Sequence, residues 1–356
     1  MEEKVHALRK LLTKAYSEKV FPGCSFALVT KNGIETIQLG NLTYDPASPQ
    51  VTENTIYDIA SLTKVIAPLS VAQILIDNGT LALTDRVSVY IPEFSNDKNK
   101  EGALLSHLLT YTLMYDLPCG TRSLMTPDTT PGQLAERLTA LHLTDLPGTR
   151  YLYSNITAFL LTQVIERVTV RSLAELVSEK VLTPLGMHST TFSPSRFDIE
   201  TIAPTEITRV RGVVRGFVHD ESTHFLQSGG ITSGAAGLFA PVSDIAQFIQ
   251  MTLNKGVCNN QRIFSENAVS AWKTDHFPNL LPIHTPLCWS DDFTVAPETH
   301  RPHIISKGGF TGCFMMANLE REIGLVLLSN STYPERREGS VDFKKLKEEL
   351  TEILSR

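Results

Sequence analysis

The chain has 356 residues, of which 42% are hydrophobic and 20% charged, with a formal net charge of -6. That composition fits a globular protein with a large core, as one domain or two intimate subdomains. The acidic balance and the lack of a Lys/Arg-rich run give no electrostatic case for nucleic acid.

The first twenty residues, MEEKVHALRKLLTKAYSEKV, carry charges throughout and lack the apolar run of a signal peptide or membrane span. Val5, Leu8, Leu12 and Ala15 share one helical face instead. As written, the chain reads as cytoplasmic with no transmembrane segment, or as periplasmic or secreted if a leader was removed. CSFALVT and IETIQLG then flank Lys31-Asn32-Gly33, where Asn-Gly predicts a hairpin.

From Ser61 to about Leu185 the periodicity is mostly helical. SLTKVIAPLSVAQILIDNG predicts a long apolar helix from Ser61, with Gly79 as its C-terminal stop. ITAFLLTQVIERV and SLAELVSEKVLTPLG continue the pattern. A second hairpin is expected from FMMAN and IGLVLLSN across Leu319-Glu320-Arg321-Glu322. Phe343, Leu346, Leu350 and Leu354 mark a closing helix. Strands at both ends with helices between predict a mixed α and β fold. Its sheet would be built from residues 1–58 and 230–356, beside a mainly helical part over 59–229. Cys24, Cys119, Cys258, Cys288 and Cys313 are widely spaced and read as buried free thiols. No metal-ligand spacing occurs, and no cofactor is expected.

Three Ser-x-x-Lys stretches occur, at Ser61, Ser95 and Ser270. Ser95 lies in the polar run SNDKNK, and Ser270 sits beside the bulky Trp272. Ser61 alone starts a strongly apolar helix after an extended stretch, TIYDIA. At a helix start, the free N–H groups and partial positive charge favour an oxyanion. Lys64, three residues on, shares its face. Deprotonated, it could accept the serine proton, which requires burial or nearby positive charge to lower a reference pKa of about 10.4.

Tyr153-Ser154-Asn155 falls just before another apolar helix. The Tyr153 phenol could shuttle a proton, and the Asn155 amide could hold a substrate carbonyl. Asn155 reads equally well as an N-cap. Further on, Lys307-Gly308-Gly309 precedes an apolar strand. The glycines would let a substrate backbone approach an edge strand, or simply form a strand-entry turn.

In this order, Ser-x-x-Lys, Tyr-x-Asn and Lys-x-Gly resemble the serine β-lactamase and penicillin-binding protein superfamily, nearest its class C β-lactamase-like branch. VFPGCSFALVTKNG, LLSHLLTYTLMYDLP, PGTRYLYSN, PLGM, VHDE and GAAGLFAPVSDIAQF extend the resemblance over most of residues 20 to 332. It implies a β-lactamase/transpeptidase-like fold, with a largely antiparallel sheet flanked by helices and an all-helical subdomain beside it. Ser61 would be the nucleophile, with Lys64 and Tyr153 as general base and acid. Asn155 would bind a substrate amide, and Lys307 would supply positive charge toward an anionic substrate. The N–H groups of Ser61 and Phe310 would form the oxyanion hole.

Two departures bear on substrate. Gly308 stands where relatives carry a hydroxyl, and Leu113-Met114 stands where they carry Ser-Gly. The expectation is a serine hydrolase acting on β-lactams, D-Ala-D-Ala-like peptides or esters. A small-ester carboxylesterase and a penicillin-recognising module that does not turn over are the alternatives. His219-Asp220-Glu221 could suggest a triad or metal site, but reads as structural.

Overall fold

The computed structural model describes residues 2–95, 97–117, 120–280, 284–289, 303–336 and 341–355. The helices that frame the site are, in chain order, α1 (Glu2–Ser17), α2 (Ser70–Asp77), α3 (Asn155–Thr169), α4 (Glu221–Ser228), α5 (Val242–Leu253) and α6 (Val341–Ser355). The main sheet comprises β1 (Gly23–Thr30), β2 (Gly33–Gly40), β3 (Ile304–Gly309), β4 (Cys313–Asn318) and β5 (Ile323–Ser329).

These strands lie in the order β2-β1-β5-β4-β3, and every neighbouring pair is antiparallel. Both chain ends thus meet in one sheet, through β1 and β5. The first hairpin turns at Lys31-Asn32, with Gly33 opposite Thr30, one place earlier than the Asn-Gly signal suggests. In the second, Asn318 Oδ1 accepts from the Glu320 and Arg321 N–H groups and shapes the turn.

Both faces of the sheet are covered, which is why IGLVLL reads as one apolar run rather than an alternation. Phe26, Leu28, Phe314, Leu325 and Leu327 pack with Leu8 and Leu12 of α1 and Leu350 and Leu354 of α6. Ala27, Val29, Met315, Val326 and Leu328 face the other way, in the cluster that holds Ile245, Phe248 and Ile249 of α5. Each large side chain buried this way contributes about 1.5–3 kcal/mol. A Cβ on Gly324 would lie 2.5 Å from Ile249 Cγ2, so glycine lets α5 sit close on the sheet.

The segment from Ser61 is not one regular helix. It opens with a 3-10 turn over Ala60–Leu62, widens into a π turn over Val65–Leu69, and becomes α2 at Ser70. Pro68 explains the widening, since it has no N–H to give the carbonyl four residues back and its ring crowds that carbonyl. The segment ends as expected: Gly79, at φ +77°, donates to the Ile76 carbonyl while Thr80 donates to Leu75. Ala60–Asp77 is long and apolar enough to cross a bilayer, but 78% of it is buried inside the protein. Cys24, Cys258, Cys288 and Cys313 are buried free thiols. Cys119 lies outside the described residues.

Candidate active site

Ser61 sits in the 3-10 turn and Lys64 follows it in right-handed helical conformation, so the two side chains, three apart, share one face. Lys64 Nζ is accordingly 2.9 Å from Ser61 Oγ. Lys64 is fully buried, while Ser61 is half-buried and open to a cleft of about 240 Å³. The amine also donates to Asn155 Oδ1 at 2.9 Å and to the Ala235 carbonyl at 2.8 Å. Those partners are uncharged. In a neutral amine they would take two N–H bonds and leave the lone pair facing Ser61.

The other two Ser-x-x-Lys stretches are built differently. Ser95 and Lys98 are exposed, as are Ser270 and Lys273. Neither pair has a buried amine held against its hydroxyl.

Ser154, not Asn155, caps α3: its hydroxyl accepts from the Ile156 N–H at 3.0 Å. Asn155 is thereby free to point elsewhere. Its Nδ2 donates to Asp220 Oδ2 at 3.1 Å, which aims its Oδ1 at Lys64. Asp220 is itself fixed as the cap of α4, accepting from the Thr223 N–H and the Ser222 hydroxyl. The Tyr153 ring lies between two lysines, with Lys64 Nζ 5.1 Å and Lys307 Nζ 4.6 Å from its centroid. Both amines thus lie within cation–π reach of the phenol ring.

Lys307 lies on edge strand β3 and is fully buried. Its Nζ donates to Tyr111 Oη at 3.2 Å and lies 5.0 Å from that ring's centroid. Gly308 is a half-buried strand residue paired opposite Phe314. Gly309 is required by close approach, because a Cβ there would lie 2.7 Å from the Ile59 carbonyl. Phe310 follows in the turn to β4 and is 60% exposed at the cleft lip. Its ring stands 5.4 Å from that of His219 and 5.5 Å from the Arg336 guanidinium.

The structure therefore brings Ser61, Lys64, Tyr153, Asn155, Lys307, Gly309 and Phe310 into one neighbourhood. Sequence reasoning missed Asp58, Tyr111 and Arg336, and read Asp220 as structural. Asp220 carried a signal as the cap-like Asp before α4, whereas Tyr111 and Arg336 reach the site only through the fold. His219 lines the cleft at 3% exposure, and its ring nitrogens have no hydrogen-bond partner among the described residues. Burial, with Arg336 and Arg211 nearby, pushes its imidazole down to about 4, so it is neutral near pH 7. Arg336 donates to Glu221 at 2.6 Å and lies 2.8 Å from Glu206. A second hollow of about 290 Å³ shares Tyr153 and Asn155 and adds Tyr115, Leu117 and Leu152. Among the described residues, no cluster of His, Cys, Asp or Glu is arranged to hold a metal ion.

The family model described as Beta-lactamase matches residues 8–347. A relative from Escherichia coli (strain K12), named a putative D-alanyl-D-alanine carboxypeptidase, is 30% identical over 315 residues, covering 80% of this chain and 71% of the relative. Among solved structures, one described as EstCE1, a hydrolase with promiscuous acyltransferase activity, aligns with a TM-score of 0.77 at 20% identity. It covers 100% of this chain and 99% of that one. One described as a class C beta-lactamase aligns at 0.77 and 21% identity, covering 99% and 96%. At these identities the structures show the fold, which is β-lactamase/transpeptidase-like.

Proposed function

The chain belongs to the Beta-lactamase family and is a serine hydrolase, and from that premise we propose that Ser61 is its acyl-accepting nucleophile, with Lys64 and Tyr153 handling the proton. The observation that carries this reading is the enclosed Lys64 amine, 2.9 Å from a cleft-facing hydroxyl and held by Asn155 and Ala235. Lys64 takes the Ser61 proton as Oγ bonds to the substrate carbonyl carbon, and the carbonyl electrons move to its oxygen. The N–H groups of Ser61 and Phe310 are the donors offered to that oxyanion, and one such donor is typically worth about 2.7–4 kcal/mol. Collapse expels the leaving group, which Tyr153 protonates, and water then hydrolyses the Ser61 ester.

Substrates are small molecules or peptides. Within that class, we propose a preference for neutral esters or amides over substrates that carry a carboxylate beside the scissile bond. The Lys307 charge is enclosed and hydrogen-bonded to Tyr111, and Gly308 offers no hydroxyl. Asp220 and Glu221 add negative charge to the cleft wall, and Arg336 is paired with Glu221 and Glu206. The carboxypeptidase name of the Escherichia coli relative supports the wider acyl-enzyme chemistry, with peptides as its other candidate substrates.

Intact-mass spectrometry after mixing with a fluorophosphonate, a penicillin or a simple ester tests the reading. A Ser61 adduct with all three is expected, fastest for the ester relative to an enzyme that carries a hydroxyl residue at the Gly308 position. An adduct on another residue ends the nucleophile assignment. A penicillin adduct that never turns over would make the protein a penicillin-recognising module.

A further inference from the structure

Ser61 is presented by a backbone turn that L-residues rarely adopt. Ala60, just before it, has φ +46°, in the left-handed region. Asp58 holds this turn. Its Oδ1 accepts from the Ala60 N–H at 2.9 Å, and its Oδ2 accepts from the His219 N–H at 2.8 Å. Its carbonyl oxygen accepts from Thr311 Oγ1 at 2.7 Å, one residue past Phe310. Tyr57–Asp58 also pairs with Phe239–Ala240, just beyond the cleft-lining Ala235 and Ala236.

Three walls of the cleft thus meet at one residue, 1% exposed, whose carboxylate bonds the Ala60 turn and His219 and whose backbone carbonyl bonds Thr311. Asp58 forms no ion pair among the described residues. A buried carboxylate without a cation is expensive, so packing alone does not account for an acid here.

We propose that Asp58 is a positioning residue for acylation: its ionised carboxylate holds the left-handed turn at Ala60 that presents the Ser61 hydroxyl to Lys64, and locks that turn to the His219 wall. The proposal rests on Ser61 being the nucleophile. Its chemistry is specific to an anion. Two backbone N–H groups need two acceptor oxygens. Protonation, or replacement by an amide, turns one acceptor into a donor facing an N–H, and one of the two bonds is lost.

Asp220 and Arg211 are the charged groups that act on Asp58 across the packing, while the His219 backbone and the Cys313 thiol touch it. Desolvation raises the Asp58 carboxyl to about 6, against the pull of its two backbone hydrogen bonds. His219 titrates separately, at about 4.

The test is the rate at which a neutral fluorophosphonate labels the full chain, read by intact mass with the adduct mapped, from about pH 4.5 to about pH 8. Asp58→Asn should label Ser61 about tenfold or more slowly at about pH 7.5, since a hydrogen bond to a charged group is lost. It should also lack the acid limb that wild-type enzyme shows near about pH 6. Adding Ala60→Gly to Asp58→Asn should recover at least about threefold, because glycine adopts positive φ without steric cost. General loss of packing would show no such rescue. A folded Asp58→Asn enzyme labelling Ser61 within about twofold of wild type would overturn the proposal, as would failure of the rescue. If Asp58→Asn does not fold, Ala60→Gly alone carries the test. It should flatten the acid limb near about pH 6, whereas a limb it leaves untouched belongs to another group and overturns the proposal. Absence of any Ser61 adduct on wild-type enzyme would remove the nucleophile assignment instead.

Discussion

Replacing Lys64 by methionine separates its proposed role as base from the space it fills. Methionine keeps the unbranched stem and packs flexibly, but its thioether is too weak a base to take the Ser61 proton and has no N–H for Asn155 and Ala235. In the native chain the amine lies 2.9 Å from Ser61 Oγ, 2.9 Å from Asn155 Oδ1 and 2.8 Å from the Ala235 carbonyl. Ala235 is fully buried, so its carbonyl is left without that donor in the variant. An unsatisfied buried acceptor costs about 1–3 kcal/mol, which in a chain of this size lowers the melting temperature by a few degrees. Loss of a general base costs about 10²–10⁴ in rate. The two effects differ enough to be read separately, by a melting curve and by time-resolved intact-mass labelling with a fluorophosphonate. Adding Tyr153→Phe to Lys64→Met should slow labelling little further, because the two groups serve one proton transfer. A folded Lys64→Met enzyme labelled within about tenfold of the wild-type rate would refute the assignment of Lys64 as base.

Ser61→Ala should abolish labelling and turnover, whereas Ser95→Ala and Ser270→Ala, both at exposed positions, should leave them unchanged; loss of labelling in either of the latter would move the nucleophile. Gly308→Thr restores a hydroxyl at a regular strand position and should raise penicillin acylation about tenfold relative to a neutral ester. An unchanged ratio in a folded variant would show that the missing hydroxyl does not set substrate preference. Burial raises Asp58 from 3.8 to about 6, so the folded chain binds this proton more tightly than the unfolded chain does. Its ionisation therefore opposes folding above about pH 6, by roughly 3 kcal/mol, and that penalty fades as pH falls toward about 4. Wild-type enzyme should gain stability relative to Asp58→Asn between about pH 7 and about pH 4.5 in denaturant melts, and a constant difference would contradict the shift.

The parts of the fold that obey one local rule were legible in the sequence. Leu8, Leu12 and Ala15 mark the buried face of α1, and Leu350 and Leu354 that of α6. β1 with β2, and β4 with β5, follow from apolar runs flanking turn residues. The Ser61–Lys64 pair was legible because a spacing of three places two side chains together in any tight helical turn. Asn155 was ambiguous, since a residue at a helix start can cap or reach out. Ser154 settles the matter by accepting from Ile156.

What local rules did not reveal clusters around Ser61. Ala60 adopts a left-handed φ that nothing in DIASLTK announces, and Pro68 opens a π turn where the periodicity reads as continuous helix. Such departures cost free energy locally, and they persist where surrounding contacts over-determine them. Here those contacts come from far along the chain. Asp58 reaches His219, Thr311 reaches back to Asp58, and Leu238 donates to Thr63. Tyr111 meets Lys307 across a separation of 196 residues. Each bond joins the Ser61 turn or β3 to a remote segment, and no window of sequence contains both partners. The strained turn and the long-range bonds are therefore one feature. A serine held off the regular helix needs anchors from several elements, and the walls those elements form are the walls of the cleft.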